Sequence, residues 1–169
     1  MSDTETSSKP TLWDFSIEIY SKDDVELACL DLQDNYGVDI NLLLYLLWRS
    51  QSGDMFASED IAEIDDHVRP WRETVVENLR RVRRELKIIN CKLDPEVVED
   101  FRNSVKELEI SSEALAQNIL LSCTPEVRST SSDVEHASRC NLSAYEAFLE
   151  TEFSEKARNT ILLALKVNR

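Results

Sequence analysis

Glycine is almost missing from this 169-residue chain, which has only Gly37 and Gly53. Sheets and hairpins rely on glycine-rich turns, so the scarcity disfavours an all-β design and favours helices with short connections. Histidine is equally rare, with only His67 and His136, and the four cysteines (Cys29, Cys91, Cys123, Cys140) form no CxxC pair. That is poor material for a zinc site, so no metal and no cofactor is expected. No apolar run approaches the ~20 residues a bilayer requires. The longest spans only 42–48. The first ten residues are polar and acidic, without the apolar segment of a secretory leader, so a reducing cytoplasm with free thiols is expected. Positive charge is also in deficit: 33 acidic residues face 19 basic ones, a formal net charge of −14. Such a field repels nucleic acid and anionic lipid, and neither is expected as a partner.

The most telling stretch that is present runs from Asn41 to Trp48, NLLLYLLW. It is apolar almost all round a helix, and a helix apolar on every side must be enclosed on every side. The sequence therefore predicts an all-α, single-domain bundle of about seven or eight helices around a buried central helix. A chain of this length buries roughly 70% of its unfolded surface and needs no disulfide or metal to hold a core.

Residues 1–10, rich in Ser and Thr, read as a disordered tail, and residues 11–167 as the bundle. Thr11 with Asp14 gives a capping signal for a first helix, with Trp13, Ile17 and Tyr20 inward. Trp13, Phe15, Ile17 and Ile19 also alternate as a strand would, but no second strand is evident to pair with them. Asp23 or Asp24 starts a second helix that turns Val25, Cys29 and Leu32 inward and stops at Gly37. Asp39 caps the central helix, about 40–51, which ends at Gly53. A short helix follows from Ser58. Pro70 then reads as the first turn of a separate helix over about 70–89, with an apolar seam of Trp71, Val75, Leu79, Val82, Leu86 and Ile89. Asp94-Pro95 starts the next helix, with Val98, Phe101, Val105, Leu108, Leu115 and Ile119 on its seam and Ser112 among them. These two form an antiparallel hairpin. Thr124-Pro125 stops the second, and residues 124–140, most polar over 126–138, read as a flexible connection containing a solvated His136. Two short helices close the chain. One carries Leu142, Tyr145 and Phe148. The other is capped by Ser154 and buries Ala157, Ile161, Leu162 and Leu165.

Three polar groupings stand out. Between Arg69 and Lys87 seven cations face three carboxylates, so against a total of −14 this segment is +4 and the remainder −18. Arg80, Arg83, Arg84 and Lys87 fall at i, i+3, i+4 and i+7, one stripe that could dock an acidic surface or pair with carboxylates inside the fold. Asp65, Asp66 and His67 are consecutive, splay in different directions on a helix, and read as a helix end rather than a catalytic set. Gln33, Asp34, Gly37, Asp39 and Asn41 crowd the turn before the central helix. Asn41 is notable as a polar residue opening an apolar face. No catalytic residue is assigned.

Trp13 with Tyr20, Cys29-Leu30, Leu32-Gln33 with Gly37, Asn41-Leu42-Leu43-Leu44 with Trp48, Trp71-Arg72, Leu79-Arg80, Val82-Arg83 and Leu86-Lys87 resemble, in that order, a bacterial family catalogued as domain of unknown function 2390. Glu107-Leu108 and Asn141-Leu142 with Tyr145 extend the resemblance over about residues 11–167. It implies a small cytoplasmic proteobacterial protein and no particular activity. It also draws attention to Arg72, Arg80, Arg83 and Lys87, and to Gln33 and Asn41, polar positions that apolar packing does not require. Two functional expectations follow. The first is a non-enzymatic interaction module whose stripe of Arg72, Arg80, Arg83, Arg84 and Lys87 docks an acidic protein. The second is a small-molecule or enzymatic site between the 40–51 and 70–89 helices, using Gln33, Asn41 and Arg72.

Overall fold

A computed structural model describes residues 10–123, 125–127 and 129–166. Residues 1–9 of the expected tail lie outside them. The described residues form eight α segments: α1 Leu12–Tyr20, α2 Val25–Tyr36, α3 Ile40–Ser50, α4 Ser58–Trp71, α5 Glu77–Leu86, α6 Pro95–Ser122, α7 Val134–Phe148 and α8 Glu155–Lys166. A π turn over Arg72–Val76 joins α4 to α5 without a break, so the eight segments make seven rods. Two-residue strands, β1 Asp54–Met55 and β2 Ser129–Thr130, pair antiparallel.

The all-α bundle follows the sequence reading, and α3 is its centre. Leu42, Leu43, Leu44, Tyr45, Leu46 and Leu47 are all buried, enclosed by α1, α6, α7 and β1. Each fully buried leucine contributes roughly 1.5–3 kcal/mol relative to leaving it in water. Asp39 starts α3 by accepting from the amides of Asn41 at 2.8 Å and Leu42 at 3.2 Å, which satisfies two donors that the helix itself leaves unpaired. Gly37 ends α2 at φ 69°, a left-handed conformation with open space around it, so backbone strain and not crowding favours glycine there. At Gly53 both reasons hold: φ is 84°, and an added Cβ would stand 2.0 Å from the Ser131 carbonyl oxygen.

α1 is a helix and not a strand, and its buried face is Leu12, Phe15, Ser16 and Ile19; of the expected Trp13, Ile17 and Tyr20, Tyr20 packs half-buried against the core, Trp13 is half-buried and Ile17 is exposed. The faces expected for α2 and α8 are buried as read. Pro70 does not open a helix; it lies inside α4. Lacking an N–H, it removes one rung, and the chain answers by widening into the π turn just after it, where the Glu77 amide reaches back five residues to Arg72. The extra residue rotates everything beyond it, so Val76 and not Val75 is buried.

The seam of α6 is also shifted. Val105, Glu109, Ser112, Ala116 and Leu120 face inward, while Phe101, Leu108 and Leu115 face solvent. No residue over 82–104 is buried, so the outer half of the α5–α6 hairpin is an arm held chiefly by contact between its own two helices. The connection expected over 124–140 is shorter than that. β2 is tied to β1, the Ser131 amide bonds the Gly53 carbonyl at 2.9 Å, and α7 begins at Val134 under an Asp133 cap. His136 lies exposed on α7. Asn141 of α7 uses its whole amide: Oδ1 accepts from Phe56 N, and Nδ2 donates to the carbonyls of Leu46 and Asp54. That clamps α3, β1 and α7 together.

Candidate functional site

The turn from α2 into α3 faces the π turn, and a cleft of about 100 Å³ lies between them. Gln33 and Asn41 line it from the α2–α3 side, Arg72 and Arg80 from the other. Residues 33, 41, 72 and 80, remote in sequence, therefore share one wall system. Arg83, Arg84 and Lys87 do not reach it.

Arg72 is fixed by two buried carboxylates. Its Nη1 donates to Asp39 Oδ2 at 2.9 Å and Asp65 Oδ1 at 2.6 Å. Burial opposes its charge, but the hydrogen bonds and charges of Asp65 and Asp39 outweigh that and hold the guanidinium protonated more firmly than usual. Asp39 thereby does three things: it caps α3, anchors Arg72, and offers its backbone N–H to Tyr145 Oη at 3.0 Å. Burial pushes the Tyr145 hydroxyl well above its usual range, so it stays neutral. Asp65 extends the network to Arg69 at 2.8 Å. The Nη2 of Arg72 makes no hydrogen bond within the described residues, and its Nε stands 3.9 Å from Glu77.

Arg80 is held from α6, donating from Nε to Glu109 at 3.2 Å and from Nη2 to Glu113 at 2.9 Å, which leaves Nη1 unspent. Asn41 is held by Gln117, whose Nε2 donates to Ser16 Oγ at 3.0 Å and to Asn41 Oδ1 at 3.1 Å. Gln117 Oε1 is the buried side-chain polar atom without a partner among the described residues. The Asn41 Nδ2 makes no hydrogen bond within them, and Gln33 bonds only Asp34, at a long 3.5 Å. The cleft thus presents spare N–H groups from Arg72, Arg80 and Asn41, an adaptable amide at Gln33, and the half-exposed carboxylate of Glu77.

The basic stripe divides. Arg83 bonds Glu109 through both Nε and Nη2, so Arg80 and Arg83 together enclose that buried carboxylate. Burial would raise Glu109, but the two guanidiniums hold it below the usual range. Arg84 turns the other way, to Asp34 at 3.4 Å across an exposed surface, a contact worth little. Lys87 is exposed beyond it. Asp65, Asp66 and His67 splay as expected: Asp65 is buried, Asp66 pairs Arg69 at 2.5 Å, and His67 Nδ1 lies 2.7 Å from the Glu63 carbonyl. Sequence reading took Asp65 as part of a helix end and not as the partner of Arg72, and it missed Glu109 and Gln117. The available signals were the i, i+4 and i+7 spacing of Asp65, Arg69 and Arg72, and polar residues falling on a helix seam.

Among the described residues no group of three or more His, Cys, Asp and Glu side chains could hold a metal ion, and no helix is long and apolar enough to cross a membrane. Burial pushes the Cys29 thiol up to about 12, which keeps it protonated and inert. No curated protein and no solved structure matches this chain. A family profile does match, over residues 11–120, which covers the cleft and its supporting network as far as Leu120 but not Asn141 or Tyr145. The chain belongs to the family described as protein of unknown function (DUF2390).

Proposed function

We propose that the protein is a non-enzymatic binding module whose α2–α3/π-turn cleft takes a small zwitterion of amino-acid size. The observation that carries this reading is the convergence of Gln33, Asn41, Arg72 and Arg80 on one cleft with donors left over after the internal network is satisfied. Size limits the ligand: a cavity of ~150 Å³ accepts benzene, so about 100 Å³ suits a handful of heavy atoms. Charge limits it further. Each guanidinium already offsets nearby carboxylates, and the chain carries −14, so a bare anion gains little net attraction. A molecule with a carboxylate for the Arg72, Arg80 and Asn41 donors and an ammonium for Glu77 matches the groups present.

The test is thermal stabilisation and calorimetry with glycine, alanine and serine, against acetate and methylammonium as half-ligands. A zwitterion should raise Tm at about 10 mM while neither half-ligand does. Asn41→Asp keeps the oxygen that accepts from Gln117 and replaces the spare donor by a carboxylate, so it should abolish the shift without unfolding the protein. No shift from any of the three amino acids would overturn the proposal.

An acidic protein docking on the stripe is the weaker proposal. Such a partner would have to draw Arg80 and Arg83 away from Glu109 and Glu113, or bind through Arg84 and Lys87 alone. We place the protein in the cytoplasm, where Cys91 and Cys140, accessible as free thiols, would stay reduced.

A further inference from the structure

Most of the exposed apolar residues of α6 fall on one line; Ile110 and Leu121, also exposed, lie off it. Val97, Phe101, Leu108 and Leu115 are 57%, 59%, 57% and 49% exposed, and half-buried Ile119 continues the line beside Trp71. Their intervals are 4, 7, 7 and 4, so the stripe reads the same in both directions from Leu108. On a helix these positions stay within about a quarter turn of one another over roughly 33 Å. A second α6 laid antiparallel would set Leu108 against Leu108, Phe101 against Leu115 and Val97 against Ile119. Self-complementarity of this kind is what a twofold interface requires.

Charge favours the same occupant. In a chain with 33 carboxylates, Asp100 and Glu107 lie one row further out on the solvent side, and the row of α6 that directly adjoins the stripe there is Ser104, Ser111 and Asn118. A basic partner would want acids there, whereas a second copy of an acidic chain needs them absent and gains from small side chains that let two helices approach. From these observations we infer that the protein forms an antiparallel homodimer through α6, with its axis at Leu108. One helix face of this length buries on the order of 500 Å² per partner, at the low end of specific interfaces, so the dimer is weak and reversible.

Sedimentation equilibrium of the full chain from about 1 µM to about 1 mM should show the mass rising from 19.4 kDa towards twice that value. Leu108→Glu puts two like charges on the axis and should hold the protein monomeric throughout. Leu163→Glu, an equally exposed leucine on α8, should leave the association unchanged. A monomer at every concentration overturns the inference, even if another protein is captured on the arm, and so does a dimer that survives Leu108→Glu. A second readout fixes the axis. In a Cys91→Ser, Cys140→Ser background, Leu108→Cys should cross-link to itself on oxidation. Phe101→Cys should cross-link only when mixed with Leu115→Cys, and self-linking of Phe101→Cys would overturn the antiparallel register.

Discussion

The body around α3 and the arm beyond residue 82 are built from the same helical periodicity, yet they are held by different means. In the body, leucine packing is completed by polar side chains with defined partners: Asn141 clamps α3 to β1, Ser50 meets Ser138 at 2.7 Å, and Asp39 joins cap, arginine and tyrosine. In the arm no side chain over 82–104 is buried, and the polar bonds near its base run from Arg80 and Arg83 to Glu109 and from Arg80 to Glu113. The comparison teaches that apolar content alone does not make a core. The arm has Ile88, Ile89, Leu93, Val97 and Phe101, but no third element among the described residues covers them.

Hydrogen exchange offers the largest test of that contrast. Amides over 42–48 should exchange only through global unfolding, a cost of about 5–15 kcal/mol for an ordinary domain, while amides over 82–100 open locally at a small fraction of it. Fast exchange in α3 would break the comparison by removing its protected half. Next in size is truncation. Leu46→Ala should cost about 2–5 kcal/mol by chemical denaturation, and Ile88→Ala, 83% exposed, less than about 0.5 kcal/mol. A large loss at Ile88 would mean that the arm is covered after all.

How legible all this was in the sequence depends on what each element had to satisfy. α3 was readable because its composition admits only enclosure, α2 because Gly37 marks its end, and α8 because Ser154 caps its start. α6 misled because its two candidate seams differ by one residue. Phe101, Leu108 and Leu115 mark the wrong one, Val105 and Ser112 belong to both, and Glu109 sits on the right one, where Arg80 and Arg83 hold it, while the Trp71 indole Nε1 bonds the Ser112 backbone carbonyl at 2.9 Å. Pro70 misled because proline opens helices more often than it sits before a π turn. Gln33, Asn41 and Arg72 were readable as one expected site between the 40–51 and 70–89 helices, but no spacing rule adds Arg80, which reads as part of the basic stripe. Only the fold brings all four to one cleft.

Ion pairs sharpen the comparison at the next scale. Arg72→Met would leave Asp39 and Asp65 buried without their shared cation and should cost about 3–5 kcal/mol. Arg83→Met leaves Glu109 still bonded to Arg80, so its cost should be nearer 1 kcal/mol. Equal losses would show that the base of the arm is as tightly coupled as the body.

The smallest effect is also the most specific, because two glutamates one turn apart on α6 respond to pH in opposite directions. Burial raises Glu109, but Arg83 and Arg80 outweigh it and hold the carboxyl below its usual range. Burial raises Glu113 too, and there the attraction of Arg80 is too weak to cancel it. A carboxyl lowered in the fold stabilises above its unfolded value, about 4.3, and that stability is lost as pH falls through the lower folded value. A carboxyl raised in the fold stabilises below the unfolded value and loses that contribution as pH rises through the higher folded one. Tm measured against pH for Glu109→Gln and Glu113→Gln, each relative to the parent chain, cancels the general effect of the −14 charge. As pH rises from about 3 to about 7, Glu109→Gln should fall progressively below the parent. Glu113→Gln should gain on the parent over the upper part of that range. Differences of the same sign would mean that Arg80 divides its attraction evenly, and that the boundary between body and arm is not drawn between these two side chains.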